Sequence, residues 1–353
     1  MKNNSFKDWL SQAFQTLKKL PWVRIGLISL CSILSLALIA AIFVTAYVDH
    51  LLGQIIADPE MNDPNTSIDY GEEGEVPPDY EGDIINPDDL HPNTTPEVII
   101  AHKDIVNIML VGQDRREGET GRTRSDAMIL CTFNKKTKTI TMTSFMRDLY
   151  VNIPGHKPYK MNSAYQWGGM PLLRQTMLEN FGVKVDVFVE VDFSGFTQVI
   201  NSVGGVNINL TQAEADLLNV QNGWTLRAGN NLLNGDQALA YSRIRSIGMD
   251  FARTERQRNV INALIAVAKD MSLAQLSGLI NTILPLVATD IPTTAQAMSY
   301  VMDLFPVLSG SKTVTQRIPI DGSYQLVYVG NLDVVLPDMD INRQFLINTL
   351  LPK

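Results

Sequence analysis

The feature that most constrains this chain is an apolar run close to its N-terminus. Residues 25–48 contain no Asp, Glu, Lys or Arg. The run is longer than the roughly 20 residues that a helix needs to cross a bilayer. We therefore predict a single transmembrane helix at residues 25–48. The alternative is a cleaved secretory signal, but the apolar region of such a signal is usually only about 7–15 residues long.

The charges on either side of the run predict its orientation. Residues 1–24 carry Lys2, Lys7, Lys18, Lys19 and Arg24 but only one acid, whereas the chain continues after the run with an Asp and a His. Positively charged flanks stay in the cytoplasm. The sequence therefore predicts a cytoplasmic tail at residues 1–24 and places everything after residue 48 outside the cell membrane.

Cysteine usage and net charge narrow the class of protein further. Of the two cysteines, Cys31 lies in the apolar run and Cys131 lies in a second apolar stretch, so no intramolecular disulfide is predicted. A lone cysteine in such a stretch is usually a small buried hydrophobic residue. The net charge of −8 disfavours a nucleic-acid partner, because proteins that bind nucleic acid neutralise phosphates with a basic face.

Residues 49–98 have the composition of a tether. Acids recur throughout this stretch, together with Pro, Asn and Gly, and it contains few aliphatic residues and no Lys or Arg. Such a segment buries too little apolar surface to offset the entropy of the chain. We predict a disordered acidic linker that like charges keep extended. A solvated spacer is the simpler interpretation of its acids, and cation binding is the alternative.

The rest of the chain, residues 99–353, is predicted to form one domain. Apolar or alternating stretches predict strands at residues 105–111, 127–133, 139–144, 185–191, 206–210 and 313–319. Helical patterns occur at residues 172–180, 193–203, 253–269, 273–286 and 295–304. This mixture indicates an α/β fold, a three-layer α/β/α domain with a central mixed sheet.

The first polar cluster lies between the first two predicted strands. It contains Asp114, Arg115 and Arg116, followed by Arg124 and Asp126. A strand end, a loop and the next strand start can bring the two carboxylates together. A carboxylate pair suits a hard cation such as Mg²⁺ or Mn²⁺, which keeps waters that a phosphate can replace. The alternative is a surface loop that mixes acids with arginines.

A second cluster follows the strand predicted at residues 139–144. Arg147 and Asp148 stand at the end of that strand, where ligands tend to bind in α/β sheets. Downstream, we predict that Lys160 and Asn162 lie in a polar loop. Either of these two side chains is also compatible with an ordinary loop contact.

The third cluster is the densest, and its members are Arg243, Arg245, Asp250, Arg253, Glu255, Arg256, Gln257 and Arg258. If residues 240–245 are extended, the first two arginines project to the same side. If the following segment is helical, Arg253, Arg256 and Gln257 share one face. Converging guanidinium groups, each a planar fork of donors, indicate a phosphate or pyrophosphate ligand. The alternative is a solvated basic helix paired with its own acids.

Taken in order, these motifs resemble a known family. The stretch from about Asp104 to Pro319 is similar to the catalytic domain of the LytR-CpsA-Psr family, cell-envelope phosphotransferases of mainly Gram-positive bacteria. The family also places an N-terminal anchor before an external domain. The matching pieces are Gly112-Gln113-Asp114-Arg115-Arg116, Arg124-Ser125-Asp126, Ser144-Phe145-Met146-Arg147-Asp148, Lys160-Met161-Asn162, Phe188-Val189-Glu190-Val191-Asp192, Gly204-Gly205-Val206, Leu239-Ala240-Tyr241-Ser242-Arg243-Ile244-Arg245 and Asp250-Phe251-Ala252-Arg253-Thr254-Glu255-Arg256-Gln257.

The resemblance implies a specific reaction. Such enzymes move a glycopolymer, for example teichoic acid or capsule, from a polyprenyl-pyrophosphate carrier onto peptidoglycan, and they form a phosphodiester bond. Carried over by position, Asp114 and Asp126 hold Mg²⁺. The implied catalytic set adds Arg147, Arg245 and Asp250, and the implied pyrophosphate-binding set is Arg115 or Arg116, Arg124, Arg147, Lys160, Arg243, Arg245, Arg253 and Gln257.

Several alternatives stay open from the sequence alone. The base that accepts the proton of the acceptor hydroxyl is Asp126, Asp148 or Asp250. The aliphatic helices of residues 260–286 form either a tunnel for the prenyl tail or ordinary core. The competing functions are a polyprenyl-pyrophosphate hydrolase and a non-catalytic protein that binds lipid-linked polymers or regulates the envelope.

Overall fold

The computed structural model describes residues 76–78, 80, 82, 84–87, 90, 96–113, 123, 125–283, 286–291, 300 and 303–352. The predicted cytoplasmic tail, the predicted transmembrane helix and most of the predicted linker lie outside these residues. So do four predicted site residues, Asp114, Arg115, Arg116 and Arg124. In the described part of the chain, no helix is both long enough and apolar enough to cross a membrane.

The described residues include thirteen strands and seven helices. The strands are β1 (Ile84–Ile85), β2 (Ile105–Gln113), β3 (Ser125–Asn134), β4 (Thr139–Phe145), β5 (Tyr150–Val151), β6 (Tyr159–Lys160), β7 (Val187–Val191), β8 (Val206–Leu210), β9 (Gly229–Leu233), β10 (Ala288–Thr289), β11 (Lys312–Ile318), β12 (Tyr324–Val329) and β13 (Leu332–Pro337). The helices are α1 (Met161–Phe181), α2 (Phe193–Ser202), α3 (Gln212–Asn222), α4 (Gly235–Ser242), α5 (Met249–Lys269), α6 (Leu273–Ile283) and α7 (Met339–Leu350).

The central sheet has six strands in the order β10-β7-β2-β3-β4-β11. Strands β2, β3 and β4 form an antiparallel meander. Strand β7 is parallel to β2 and β11 is parallel to β4, while β10 is antiparallel to β7. The predicted mixed sheet is therefore confirmed.

The two faces of the sheet are covered by different helices. Because successive side chains of a strand point to opposite faces, Met128 and Leu130 of β3 pack under α1 and α7, whereas Ile129 and Cys131 pack under α5. Burial of these apolar side chains holds the layers together at roughly 25 cal/mol per Å² removed from water. The three-layer α/β/α architecture follows from this alternation.

A second apolar cluster lies beside the sheet. Helices α2, α3 and α4 and the β8–β9 hairpin enclose it, and Val260 of α5 contributes to it. Polar caps set where these helices begin: Asp192 accepts a hydrogen bond from the backbone N–H of Gly195 at 2.8 Å, and Thr211 and Asn234 each form a capping box. The cluster thereby fixes the segment that follows α4.

A three-stranded sheet, in the order β1-β12-β13, completes the described fold. Its strand β1 pairs in parallel with β12, where Ile84 lies opposite Tyr328 and Ile85 lies opposite Val329. Residues 84 and 85 belong to the predicted linker, so this part of the linker is paired with the folded domain.

Helix α1 is longer than predicted and changes the setting of one predicted site residue. It begins at Met161 and is interrupted at Gly168 and Gly169, where Gly169 has a φ of 60°. Such a backbone suits glycine, which has no Cβ to clash. The kink at the two glycines interrupts the apolar periodicity of the helix, and this is why the sequence pattern predicted only its second half. The predicted polar loop is therefore wrong: Lys160 ends β6, and Asn162 lies in the first turn of α1.

The segment of residues 240–245 is not extended either. Helix α4 continues to Ser242, and Arg243 is its C-terminal cap with a φ of −102° and a ψ of 0°. The capping box formed by Asn234 and Gln237 starts this helix a few residues upstream. That local signal outweighs the extended conformation predicted for the arginine motif.

Candidate active site

The candidate site lies where β2 ends and β3 begins. The register between the two strands shifts at Gly112 and Gln113, and Gln113 pairs with Ser125. Such an irregularity in a ladder re-aims the side chains around it. Asp126, the next residue of β3, borders a cavity together with Gln113.

Two arginines from distant parts of the chain hold Asp126. Arg147, two residues beyond β4, donates from Nη1 to Oδ1 of Asp126 at 2.8 Å. Arg245, in the segment after α4, donates from Nη2 to Oδ2 at 3.4 Å. The fold thus joins the three clusters that the sequence shows separately.

The ion pairs continue from Arg147, which does not itself line the cavity. Its Nε donates to Asp148 at 3.2 Å and lies 3.9 Å from an oxygen of Asp250. Asp148 also pairs with Lys160 at 3.0 Å, and Asp250 pairs with Arg253 at 2.9 Å. Each carboxylate in this network faces at least one cation, so the site is dense in charge but locally balanced.

The protonation preferences of two arginines differ because of these neighbours. Burial acts to lower the pKa of Arg147, but Asp148, Asp250 and Asp126 outweigh it, and the pKa is raised. For Arg253, burial is the larger influence and the pKa is lowered, with Asp250 opposing the shift and Arg147 adding to it. Arg253 is therefore a cation with too little negative charge around it.

Buried polar atoms without partners mark the same place. The Arg253 side chain is only 2% exposed, and its donors Nε and Nη1 have no hydrogen-bond partner among the described residues. The acceptor Oε1 of Gln257, one helical turn later, is also buried without a described partner. Since buried polar groups nearly always have partners, these atoms mark a place where a ligand can bind. Preorganised donors such as those of Arg253 stabilise oxyanions well in a site that excludes water.

A cavity of about 230 Å³ opens beside these groups. Its polar end is lined by Asp126, Arg243, Arg245, Arg253 and Gln257. The two arginines after α4 reach it although their backbone is not extended, and Arg243 stacks over the ring of Phe193 at 4.3 Å. The predicted convergence of these arginines is observed, but a helix end and the segment after it produce this convergence instead of a strand.

The rest of the cavity is apolar. Its walls come from the sheet, from α2 and from the later helices, and the lining side chains are Leu110, Val111, Ile129, Val189, Val191, Phe193, Phe196, Val199, Leu239, Ile261, Leu264, Ile283 and Val287. Of the helical stretch that left tunnel and core as alternatives, Ile261, Leu264 and Ile283 line the cavity, whereas Val260 is fully buried in the core. The stretch therefore contributes to the core at Val260 and to the cavity wall at the other three residues, and a tunnel for the prenyl tail stays a prediction.

Arg256 and Glu214 position the segment after α4 that carries Arg245, and neither residue had a distinct predicted role. Arg256 donates to Glu214 at 2.7 Å and to the carbonyl oxygens of Ile244 and Ile247 at 3.1 and 2.8 Å. Arg256 does not line the cavity, although it was expected to share a phosphate-binding face with Arg253. Two features of the sequence could have indicated this pairing: Arg256 belongs to the motif of residues 250–257, and Glu214 belongs to the capping box of α3.

The described donors are compatible with a magnesium site that a substrate phosphate completes. No group of three or more His, Cys, Asp or Glu side chains is close enough to hold a metal within the described residues. Asp126 offers one carboxylate, and Mg²⁺ is commonly held by one or two carboxylates plus phosphates.

Arginines grouped beside an apolar cavity wall define the class of site, one that suits a ligand with an anionic group and an apolar part. The model of the LytR_cpsA_psr family matches residues 83–337. The chain belongs to this family.

Three relatives show the level of similarity. The polyisoprenyl-teichoic acid–peptidoglycan teichoic acid transferase TagT of Bacillus subtilis is 39% identical over 179 residues, which cover 48% of this chain and 55% of TagT. The match therefore spans little more than half of that relative. The corresponding transferase TagU of Oceanobacillus iheyensis is 33% identical over 265 residues, which cover 72% of this chain and 79% of TagU.

The third relative is a solved structure. It is the LytR-CPS2A-psr family protein YwtF (TagT) with bound octaprenyl pyrophosphate lipid, and it is 27% identical to this chain. The superposition has a TM-score of 0.53 and covers 81% of this chain and 99% of the other.

Proposed function

We propose that this protein is a phosphotransferase that moves a glycopolymer from a polyprenyl-pyrophosphate carrier to peptidoglycan. The observation that carries the proposal is the single cavity in which unsatisfied arginine donors meet an apolar wall. A pyrophosphate with a prenyl tail has the same division into a charged head and an apolar chain. The names of the related transferases and the lipid bound to YwtF support this assignment.

Each described side chain then has a role in binding the carrier. The pyrophosphate takes the free donors of Arg253, with Arg243, Arg245 and Gln257 around it. The prenyl chain lies along the apolar wall. Arg147 and Lys160 neutralise phosphate charge from the other side, and Arg115, Arg116 and Arg124 are expected to join them. Phosphoryl transfer needs mainly such positioning and charge neutralisation from a protein.

The proposed cofactor is Mg²⁺ or Mn²⁺. Asp126 would hold the metal together with Asp114. When bound, the metal neutralises charge on the phosphoryl oxygens. The protein itself keeps Asp126 oriented through Arg147 and Arg245.

In the reaction, a hydroxyl oxygen of the acceptor attacks the phosphorus that carries the polymer. The bond from this phosphorus to the polyprenyl phosphate breaks, and polyprenyl phosphate leaves along the cavity. The hydroxyl proton passes to a carboxylate, for which Asp126, Asp148 and Asp250 are the candidates. All three belong to one ion-pair network around Arg147.

We further propose that the protein works at the outer face of the cell membrane. The predicted helix at residues 25–48 anchors it, residues 49–98 give it reach, and residues 99–353 carry the site. A carrier with a prenyl tail stays in the same membrane, which is why an anchored enzyme suits it.

The test uses the full chain in detergent with a polyprenyl-pyrophosphate-linked polymer, peptidoglycan fragments and Mg²⁺. A covalent product of polymer and peptidoglycan, together with released polyprenyl phosphate, is expected. Arg245→Ala should abolish the product, and Arg227→Ala, at an exposed position away from the cavity, should not. Free phosphorylated polymer as the sole product would identify a hydrolase. An intact pyrophosphate would leave only the binding or regulatory function.

A further inference from the structure

An arginine packed against a pair of contacting aromatic rings lies just outside the described site. The guanidinium of Arg317 is 4.3 Å from the ring centre of Phe251 and 6.0 Å from that of Tyr324. The two ring centres are 5.2 Å apart. We call Phe251, Arg317 and Tyr324 the aromatic platform. None of its members lines the cavity.

The platform adjoins Asp250 and Arg147, neither of which lines the cavity. Phe251 directly follows Asp250, which lies 3.9 Å from Arg147. Arg317 is the neighbour of Ser144 in the β4–β11 register, three residues before Arg147. The groups are therefore connected in the order Asp126, which lines the cavity, Arg147 with its acids, and then the platform.

The charge of Arg317 is balanced only by an exposed acid among the described residues. Arg317 donates to the carbonyl oxygen of Pro319 at 2.6 Å and pairs with Asp321, whose side chain is 90% exposed, and exposed pairs contribute little. A second arginine, Arg258, lies behind it. Arg258 is 7% exposed, and its Nε and Nη1 have no hydrogen-bond partner within the described residues.

The packing of α5 explains how Arg258 comes to lie near Arg317. Arg258 is on the same face of α5 as Ile261 and Ile265, which pack on Met142 of β4. Ser144, two residues beyond Met142, points to that face of the sheet and pairs with Arg317. Burial lowers the pKa of Arg258 to about 10, with Glu255 opposing the shift and Arg317 adding to it.

The geometry of the proposed reaction indicates what the platform could bind. In phosphoryl transfer, the attacking and leaving oxygens lie roughly in line across the phosphorus. If the polyprenyl phosphate leaves along the apolar cavity, the acceptor must approach from the opposite side. Outside the cavity lining, the network around Asp126 consists of Arg147, Asp148 and Asp250, and the platform adjoins it.

We propose that the aromatic platform is the acceptor subsite, where Arg317 binds an anionic group, a carboxylate or a phosphate, on the acceptor glycan. Tyr324 supplies an aromatic face for a sugar ring, and Arg258 adds positive charge from behind. The inference rests on the proposed transferase function and specifies the chemistry of its acceptor.

The experiment compares two acceptors and two variants. The full chain is given peptidoglycan fragments with free peptide carboxylates or the same fragments after amidation, at saturating polyprenyl-pyrophosphate polymer. We expect the wild-type protein to have a KM about tenfold lower for the acidic acceptor, which corresponds to one charge-assisted contact. Arg317→Gln should remove this preference and leave the KM for the polymer donor unchanged. Arg317→Lys should keep part of the preference, and Arg227→Gln should keep all of it.

The outcomes separate this inference from the function on which it rests. Equal use of both acceptors by the wild-type protein, with transfer intact, overturns the acceptor subsite and leaves the transferase. A rise in the donor KM of Arg317→Gln assigns the anionic group to the polymer and also overturns it. If the wild-type protein forms no transfer product with either acceptor, the transferase function itself fails.

Discussion

Asp126 holds two of the cations that the proposed substrate needs. Arg147 and Arg245 both donate to its carboxylate, so their charge is partly neutralised before a ligand binds. A pyrophosphate must compete with Asp126 for them. A metal ion on Asp126 would release the two arginines, so metal and pyrophosphate should strengthen each other's binding by the same factor.

The first prediction tests this competition. In Asp126→Asn the side chain keeps its size but loses its charge, so Arg147 and Arg245 are freed. We expect its affinity for inorganic pyrophosphate in EDTA to rise about fivefold or more, equivalent to roughly 1 kcal/mol, while transfer is lost. Titration calorimetry on the full chain measures this. The control is Asp216→Asn at an exposed position. Unchanged or weaker pyrophosphate binding would contradict the competition.

Two buried arginines two residues apart on α5 provide a matched comparison. Arg256 is 5% exposed and has Glu214 and two carbonyl oxygens as acceptors. Arg258 is 7% exposed, and two of its nitrogens have no partner. The same side chain, in nearly the same degree of burial, should therefore stabilise the fold in one case and not in the other.

The second prediction follows from this contrast. Arg256→Met leaves the buried Glu214 without its cation and with only the hydrogen bonds from Thr211, so we expect a loss of about 3–5 kcal/mol in the free energy of unfolding. Arg258→Met removes a charge without a partner, and its stability should equal or exceed that of the wild type. Denaturant unfolding of the full chain measures both. A large loss of stability in Arg258→Met would show that its nitrogens have partners in solution.

The same pair has a definite pH dependence. Burial acts to raise the pKa of Glu214, but hydrogen bonds from Thr211 and Arg256 outweigh it, and the pKa is lowered in the folded state. A lowered pKa stabilises the fold above the ordinary range of glutamate, and this stabilisation is lost as the pH falls through the folded-state value. The stability difference between wild type and Arg256→Met should therefore shrink in acid.

At the scale of elements, α5 explains why the cavity is charged at one end and apolar at the other. Arg253 and Gln257 occupy its first turns, and Ile261 and Leu264 continue the same face further along. Side chains three or four residues apart lie one above the other on a helix. The N-terminal half of α5 therefore faces the charged end of the cavity, and the later turns face its apolar end.

The third prediction concerns the apolar wall that α2 contributes opposite this face. Val199→Trp places a large ring in the cavity from a half-buried position. We expect the affinity for octaprenyl pyrophosphate to fall about tenfold or more, because part of the apolar contact area is lost. Binding of inorganic pyrophosphate should not change.

The matched control for this variant is Val220→Trp on α3. Val220 is 85% exposed and does not line the cavity, so both affinities should stay at the wild-type values. If Val199→Trp bound the lipid normally, the prenyl chain would have to lie elsewhere.

At the scale of the whole molecule, the site is assembled from segments that are far apart in the sequence. Asp126, Arg147, Arg245 and Arg253 come from β3, the segment after β4, the segment after α4, and α5. The core packing of α5 between the sheet and the α2–α4 cluster brings these segments together. The site therefore exists only when the whole domain is folded.

The fourth prediction tests on which side of the membrane this domain lies. Cys131 is 3% exposed, and burial raises its pKa to about 12, so it should not react with maleimides at neutral pH. Val220→Cys adds an exposed thiol. We expect a membrane-impermeant maleimide to label this variant in intact cells and to leave the wild type unlabelled. Labelling of the variant only after lysis would place the domain in the cytoplasm.

The sequence by itself determined the α/β class, the mixed sheet and most of the residues of the described site. Strand alternation and the grouping of arginines are local sequence patterns, so they can be recognised without knowledge of the tertiary structure. Asp126, Arg243, Arg245, Arg253 and Gln257 all lie where the motifs predicted, at one cavity.

Only the tertiary structure decided how these residues are held. The path of the chain at Arg243 depends on the capping box that starts α4. The extent of α1 from Met161 depends on its glycine kink. The apolar periodicity shows neither feature. The pairing of Arg256 with Glu214 and the packing of Arg317 over the ring of Phe251 join residues that are distant in the chain. Such contacts depend on how the layers pack, which no local pattern of residues specifies.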